Sequence, residues 1–269
     1  MLHKSQIFDP RQIMNNTTFE VFHYMDPKPA DVEVHHHDFY EVYNLLAGDV
    51  SYWVDGKTYH LRPGDVLLIS PMELHRPIIS QDTQYERLVL WINKTFLDSI
   101  SDNEILTRCF KGPSDHIRGS AITQLLTSLA AEKSSNKYGA EISSYGLFLQ
   151  TMVELNRLSP TGTQTADHID LINDVINYIG SNYAQDISLD NLSEHYHISK
   201  YHLSHQFKKE TGTSLYHYIT LKRLAAARQM LIDGHSPGEV YSACGFRDYT
   251  VFYKAFKTEY GTSPAMSVK

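Results

Sequence analysis

The sequence predicts an α+β chain in two parts: a small N-terminal β-barrel with amphipathic helices behind it, then an all-α C-terminal region. Three observations carry this. Short alternating apolar and polar runs, broken by turn signals, fill the chain from about Glu20 to Asn93. From Lys94 onward the apolar period becomes helical. Near the C-terminus one unit occurs twice.

At 269 residues there is room for two separate cores, since one core usually serves roughly 100–200 residues. No apolar run approaches the ~20 residues of a membrane helix, so no membrane partner is expected. The start, MLHKSQIFDPRQIMNN, lacks the apolar core of a secretory signal. Cys109 and Cys244 lie far apart without a CxxC partner, and a cytoplasmic protein is expected.

In the barrel region, SYWVDGKTYHL sets Asp55-Gly56 between two aromatic and β-branched runs. Both residues accept the positive φ of a tight hairpin turn. RPGD then turns the chain into the strand VLLIS. Strands this short and numerous suggest a small sandwich or barrel, whose mouth is a natural ligand pocket.

Ahead of that hairpin lies VHHHDFYEVYNLLAG, residues 34–48. With a period of two, His35, His37 and Glu41 share one side of an extended chain and His36 faces the other. Imidazole and carboxylate together suit zinc, iron, nickel or manganese, they also suit a polar ligand, and they equally serve as structural groups bonded to backbone and water. A bulge at Asp38-Phe39 would turn Glu41 away.

Two amphipathic helices follow. Ile122, Leu125, Leu126 and Leu129 form one apolar face, and Ile142, Tyr145, Leu149, Met152 and Val153 another. These faces would pack on the barrel or on a second subunit. The polar, turn-rich SPTGTQTAD then reads as a linker, giving domains at 1–158 and 168–269 joined by residues 159–167.

The repeat pairs SKYHLSHQFKKETGTS (199–214) with RDYTVFYKAFKTEYGTS (247–263). Phe207, Lys208, Glu210 and Gly212 match Phe256, Lys257, Glu259 and Gly261 at a constant shift of 49, which falls to 48 upstream. The second copy therefore has one extra residue in its turn. Each copy has the layout of a helix-turn-helix. Ser236-Pro237-Gly238-Glu239 opens the second with a cap, a proline and a capping-box glutamate. Gly245 serves its turn, where the first copy has His197. Between the copies, Leu215 to about Asp233 reads as one rigid helix stopped by Gly234. Two helices so held would enter successive major grooves about 34 Å apart.

With Leu203 and Phe207 turned inward, the first recognition helix exposes Lys200, Tyr201, His202, Ser204, His205 and Lys208. The second exposes Arg247, Tyr249, Thr250, Tyr253, Lys254 and Lys257. These groups suit base edges and phosphates of double-stranded DNA. Net charge is −7, but residues 1–167 carry all of the acid excess, while 168–269 hold 10 basic and 10 acidic residues. A near-neutral domain can still have a basic face.

These units resemble the AraC/XylS family of bacterial transcription regulators. The resemblance rests on Ser199-x3-Leu203-x3-Phe207-Lys208, on GlyPheArgAspTyr at 245–249 with Phe252-x3-Phe256-Lys257 and TyrGlyThrSerPro at 260–264, and on Arg223, Leu224 and Ala227. Tyr241, where a small residue is usual, and His197 depart from the pattern. The front half is similar to the cupin-type sensing domain: HisHisHisAspPheTyrGlu, then ArgProGlyAspValLeuLeuIle and His75 resemble two cupin motifs.

What the resemblance implies is a DNA-binding regulator, not an enzyme, that responds to a small effector, commonly a sugar or related metabolite. It would dimerise through the helices after the barrel; whether it activates or represses is left open, and activation would need a contact with RNA polymerase. It directs His35, His37, Glu41 and His75 into the barrel, where they would bind effector with Tyr43, Tyr52 and Trp53. No cofactor is required, although the same four residues could hold a divalent metal. The alternative is a metal-dependent cupin enzyme with an accessory DNA-binding module.

Overall fold

The computed structural model describes residues 13–26, 32–80, 84–100, 103–110, 116–159 and 171–267. The proposed linker falls almost wholly outside them.

Seven strands form the front of the chain: β1 (Phe19–Asp26), β2 (Tyr40–Ala47), β3 (Val50–Val54), β4 (Lys57–Leu61), β5 (Asp65–Ile69), β6 (His75–Ile79) and β7 (Tyr85–Ile92). An eighth, β8 (His116–Arg118), adds to β5. The sheets are antiparallel, ordered β1-β7-β2-β5-β8 and β4-β3-β6. The β3/β4 hairpin turns at Asp55 (φ 41°) and Gly56 (φ 98°), as the Asp-Gly pair predicts. β8 lies in the part read as helical; three residues are too few to show a period.

Strand parity divides two cores. Tyr43, Leu45, Tyr52, Val54, Leu67, Ile69, Tyr85, Val89 and Trp91 fill the space between the sheets. Val42, Val66, Leu68, Leu88, Leu90 and Ile92 point the other way, onto helices α1 (Lys94–Ser99), α2 (Asn103–Thr107), α3 (Ser120–Lys133) and α4 (Ala140–Leu158). In α3 the expected face is the buried one, with Ile122, Leu126 and Leu129 inside. α4 is a correction. Its packed face is Ser144, Phe148, Thr151, Met152, Leu155 and Asn156, so of the expected stripe only Met152 is fully buried, while Ile142, Tyr145 and Val153 lie exposed. The helix carries two apolar stripes, and Phe148, stacked on Phe19 at 4.6 Å, decides which one the barrel takes.

The rest is helical: α5 (Leu171–Asn182), α6 (Leu189–His195), α7 (Lys200–Thr211), α8 (Leu215–Ile232), α9 (Pro237–Ala243) and α10 (Tyr249–Tyr260). α6/α7 and α9/α10 are the two copies, and the shift between them changes from 48 to 49 in the turn as the sequence predicts. His197 takes φ 54° where the second copy has Gly245 at φ 82°. Side chains of Ser188, Ser199, Ser214 and Asp248 cap α6, α7, α8 and α10, and the Ser236/Glu239 capping box opens α9. Gly212 and Gly261 end α7 and α10 in the left-handed conformation.

The two helical units have separate cores. Leu203, Phe207, Tyr218 and Leu221 join Ile172, Val175 and Ile179 of α5 in one, and Leu231, Val240, Phe252 and Phe256 form the other. Each buried phenylalanine contributes about 1.5–3 kcal/mol relative to exposure. α8 contributes to both cores, so it joins the units rigidly.

Candidate functional site

On α7, Leu203 and Phe207 are fully buried, and Lys200, Tyr201, His202, Ser204, His205 and Lys208 are exposed. On and before α10, Phe252 and Phe256 are fully buried while Arg247, Tyr249, Thr250, Tyr253, Lys254 and Lys257 are exposed. The i, i+4 anchors thus turn every expected DNA-facing residue to solvent. Tyr201, Ser204, His205 and Lys208 line a shallow cleft with Lys209, a cation the repeat register did not single out. Lys200 pairs with Asp190 and Arg247 with Asp186, all strongly exposed. Phosphates can displace such carboxylates, because exposed pairs hold each other by only about 0–1 kcal/mol. Arg223 donates to the Tyr183 and Gln185 carbonyls at 2.8 Å each, tying α8 to the loop before α6.

In the barrel, the chain bends at Asp38 and Phe39 before β2 opens at Tyr40, yet Glu41 still turns to meet His37. His37 and Glu41 are buried with Nε2 and Oε2 2.9 Å apart. His75 Nε2 lies 4.0 Å from the same Glu41 oxygen. His35 forms an isolated antiparallel bridge with His75, and their rings meet edge to face at 4.3 Å. Burial lowers the His35 imidazole to about 4 and holds His75 well below the usual histidine range, so both stay neutral. Tyr43 and Tyr52 meet edge to face at 4.8 Å, and the Tyr43 and Tyr85 hydroxyls are 2.8 Å apart. Burial raises both Tyr43 and Tyr52 well above the usual phenol range, keeping their hydroxyls protonated. Arg87 lies over the rings of Tyr24 and Tyr85 and bonds Asp26 at 2.6 Å.

Trp53 is a correction. Adjacent to Tyr52 on β3, it faces out of the barrel and packs against Tyr218 of α8 with centroids 6.2 Å apart. Two successive strand residues cannot line one interior. His36 does face outward as expected, yet it is buried: its Nε2 lies 2.6 Å from the Tyr260 hydroxyl, and Glu259 approaches its Nδ1 at 3.8 Å.

His36 belongs to a contact between the two halves that sequence reasoning missed. Asp38 accepts from Arg228 at 2.5 and 3.1 Å. Asp55, at the hairpin turn, accepts from Lys222 at 2.6 Å and from the Tyr218 hydroxyl at 3.3 Å. The Arg76 guanidinium packs directly on Gly212, so a side chain there would have to push it aside. In sequence Asp55 is fully explained as a turn residue, and nothing local marks its second role.

A barrel with a buried polar cluster, fixed to two helix-turn-helix units whose cationic helices face solvent, defines a ligand-responsive DNA-binding regulator. The chain belongs to the AraC family of transcription regulators. Residues 19–150 match the AraC-like ligand binding domain and residues 192–267 a helix-turn-helix domain. It is 24% identical over 242 residues to the HTH-type transcriptional activator RhaS of Escherichia coli O139:H28, covering 87% of each chain. Among solved structures it is similar to ToxT from Vibrio cholerae with an unsaturated fatty acid bound (TM-score 0.40, 15% identity, 96% of this chain and 97% of that one). It also resembles the C-terminal domain of AraT, a response regulator from Geobacillus stearothermophilus (TM-score 0.37, 26% identity, 38% and 87%).

Proposed function

We propose that the barrel senses a small polyhydroxylated molecule, a sugar or related metabolite, and that its occupancy sets how α7 and α10 are presented to DNA. The recognition chemistry is at hand: protonated hydroxyls of Tyr43 and Tyr52, the carboxylate of Glu41, and the imidazoles of His35, His37 and His75. The observation that carries the coupling is the two-sidedness of residues 35–38. His35 and His37 face the barrel, while His36 and Asp38 hold Tyr260 and Arg228 of the helical half. A ligand shifts such an equilibrium only by binding one arrangement better. Moving this segment does so, because both faces belong to one stretch of backbone. In this reading residues 1–158 are the sensing domain, 159–167 the linker and 168–269 the DNA-binding domain. The protein acts as a sensor rather than an enzyme. Its two buried free thiols, Cys109 and Cys244, suit a reducing cytoplasm.

The test is selection of genomic fragments by the full-length protein at fixed salt, followed by footprinting. Two protected elements about one helical turn apart are expected. His205→Ala or Lys254→Ala should weaken binding, with a base-specific loss of about 1–3 kcal/mol where the side chain reads a base. Binding that is weak, steeply salt-dependent and without a footprint would mean attraction to phosphate alone.

A further inference from the structure

We propose that the barrel is a structural part of the first helix-turn-helix unit and stays docked on it when the protein engages DNA, so that the sensor signals from within the DNA-bound complex instead of releasing its DNA-binding half. The inference rests on the DNA-binding reading for its regulatory meaning only. The docking itself stands on packing.

The two helical units differ in what completes their cores. Val34, Trp53 and Leu74, from the outer side of the barrel, lie in one apolar cluster with Ile176 of α5, Phe207 of α7 and Tyr218 of α8. Among the described residues, the core of the second unit takes no barrel side chain. Trp53 is 1% exposed and Leu74 0%. Returning two such side chains to water would disfavour separation by about 100-fold or more.

The β3/β4 hairpin docks at the same place. A Cβ on Gly56 would lie 2.9 Å from Asn173 Oδ1 and 3.1 Å from the Ile176 side chain, so the turn rests its backbone on α5. Beside it the Asp55 carboxylate accepts from the Lys222 ammonium and the Tyr218 hydroxyl, while the Asp55 N–H donates to the Leu74 carbonyl at 2.8 Å. One turn residue thus ties two barrel segments to α8.

The docked barrel leaves the DNA-facing side open. Lys200, Tyr201, His205 and Lys208 of α7 and Thr250 and Lys254 of α10 are exposed with the barrel in place. Its contacts fall instead at the C-terminal ends of these helices, where Arg76 lies on Gly212 and His36 meets Tyr260, and on α8. The cations it engages, Lys222 and Arg228, belong to α8 and to neither recognition helix. A duplex can therefore reach α7 and α10 without displacing the barrel.

The Lys222–Asp55 pair supplies the probe. Its charged ends are 2.6 Å apart and its side chains 16% and 27% exposed, within reach of a water-soluble carbodiimide that joins amine and carboxylate as an amide. The full-length chain is treated alone and saturated with a random-sequence duplex at low salt, which cationic helices bind through phosphates whatever the sequence. Mass spectrometry then measures the Lys222–Asp55 link against the Lys94–Asp98 link within α1. Expected is a link in the free chain whose abundance stays within about 2-fold on DNA, since a ligand indifferent to docking shifts nothing. Lys222→Arg, which keeps the charge but forms no amide, should abolish it. A fall of about 10-fold or more on DNA overturns the proposal, as does the lack of any link in the free chain. Urea unfolding reads the shared core independently: ellipticity, dominated by the helices, and tryptophan emission, which comes from the barrel, should change in one transition that Leu74→Ala moves as a whole. Two transitions separated by about 1 M urea would show independent halves and overturn it too. Because the duplex is random, failure to find an operator footprint leaves the docking result standing, and a lost link leaves the operator reading standing.

Discussion

His36 sits between two histidines that point the other way, and that alternation lets one stretch of backbone touch barrel interior and recognition domain together. Its neighbour Asp38 makes the more testable contact. The Asp38–Arg228 pair is about a quarter to a third exposed on each side, so it is screened more than a buried pair but less than a surface one. A double-mutant cycle of Asp38→Ala and Arg228→Ala should give a coupling energy of about 1 kcal/mol in urea unfolding. Strict additivity would mean that the halves do not stay docked in solution. The inward residues of this segment were legible in the sequence because alternation is local. Trp53 was not, because tertiary packing decided which aromatic side of β3 faces which core.

The helix-turn-helix units were legible almost to the residue, since caps, turn glycines and the repeat register all act within a few positions. The departure at His197 leads to a prediction. A non-glycine residue in the left-handed region costs about 1–2 kcal/mol, against about 0.5–1 kcal/mol for the extra unfolded-state freedom of glycine. His197→Gly should therefore stabilise the protein by about 0.5–1 kcal/mol in thermal or urea unfolding, and a loss of stability would show that the imidazole makes a contact worth more. The reverse change, Gly245→Ala, should be clearly destabilising, because φ is 82° and the new Cβ would lie 2.6 Å from the Ala184 carbonyl oxygen. The face of α4 was not legible. Two apolar stripes on one helix look alike until the partner surface is known.

At the scale of the whole molecule, the second stripe of α4 asks for a partner. Ile142 is 80% exposed, with Tyr145 and Val153 beside it at helical spacing. We propose from this exposure that a second copy of the chain covers the stripe, and Ile142→Glu should then convert a dimer to a monomer in sedimentation at micromolar concentration. Affinity for a two-site operator should fall at least about 100-fold with it, because the second contact is no longer intramolecular. A parent that sediments as a monomer would leave that stripe to another partner.

The helix shared by both DNA-binding units has a last consequence. Since α8 lends side chains to both cores, the interval between α7 and α10 is part of the fold and cannot be adjusted on the DNA. On the proposed placement of α7 and α10, the chain would read two short words and the distance between them. Half a helical turn of inserted sequence, about 5 base pairs, would carry the second word to the far side of the duplex with every letter intact, and a genome holds far fewer correctly phased pairs than it holds copies of either word.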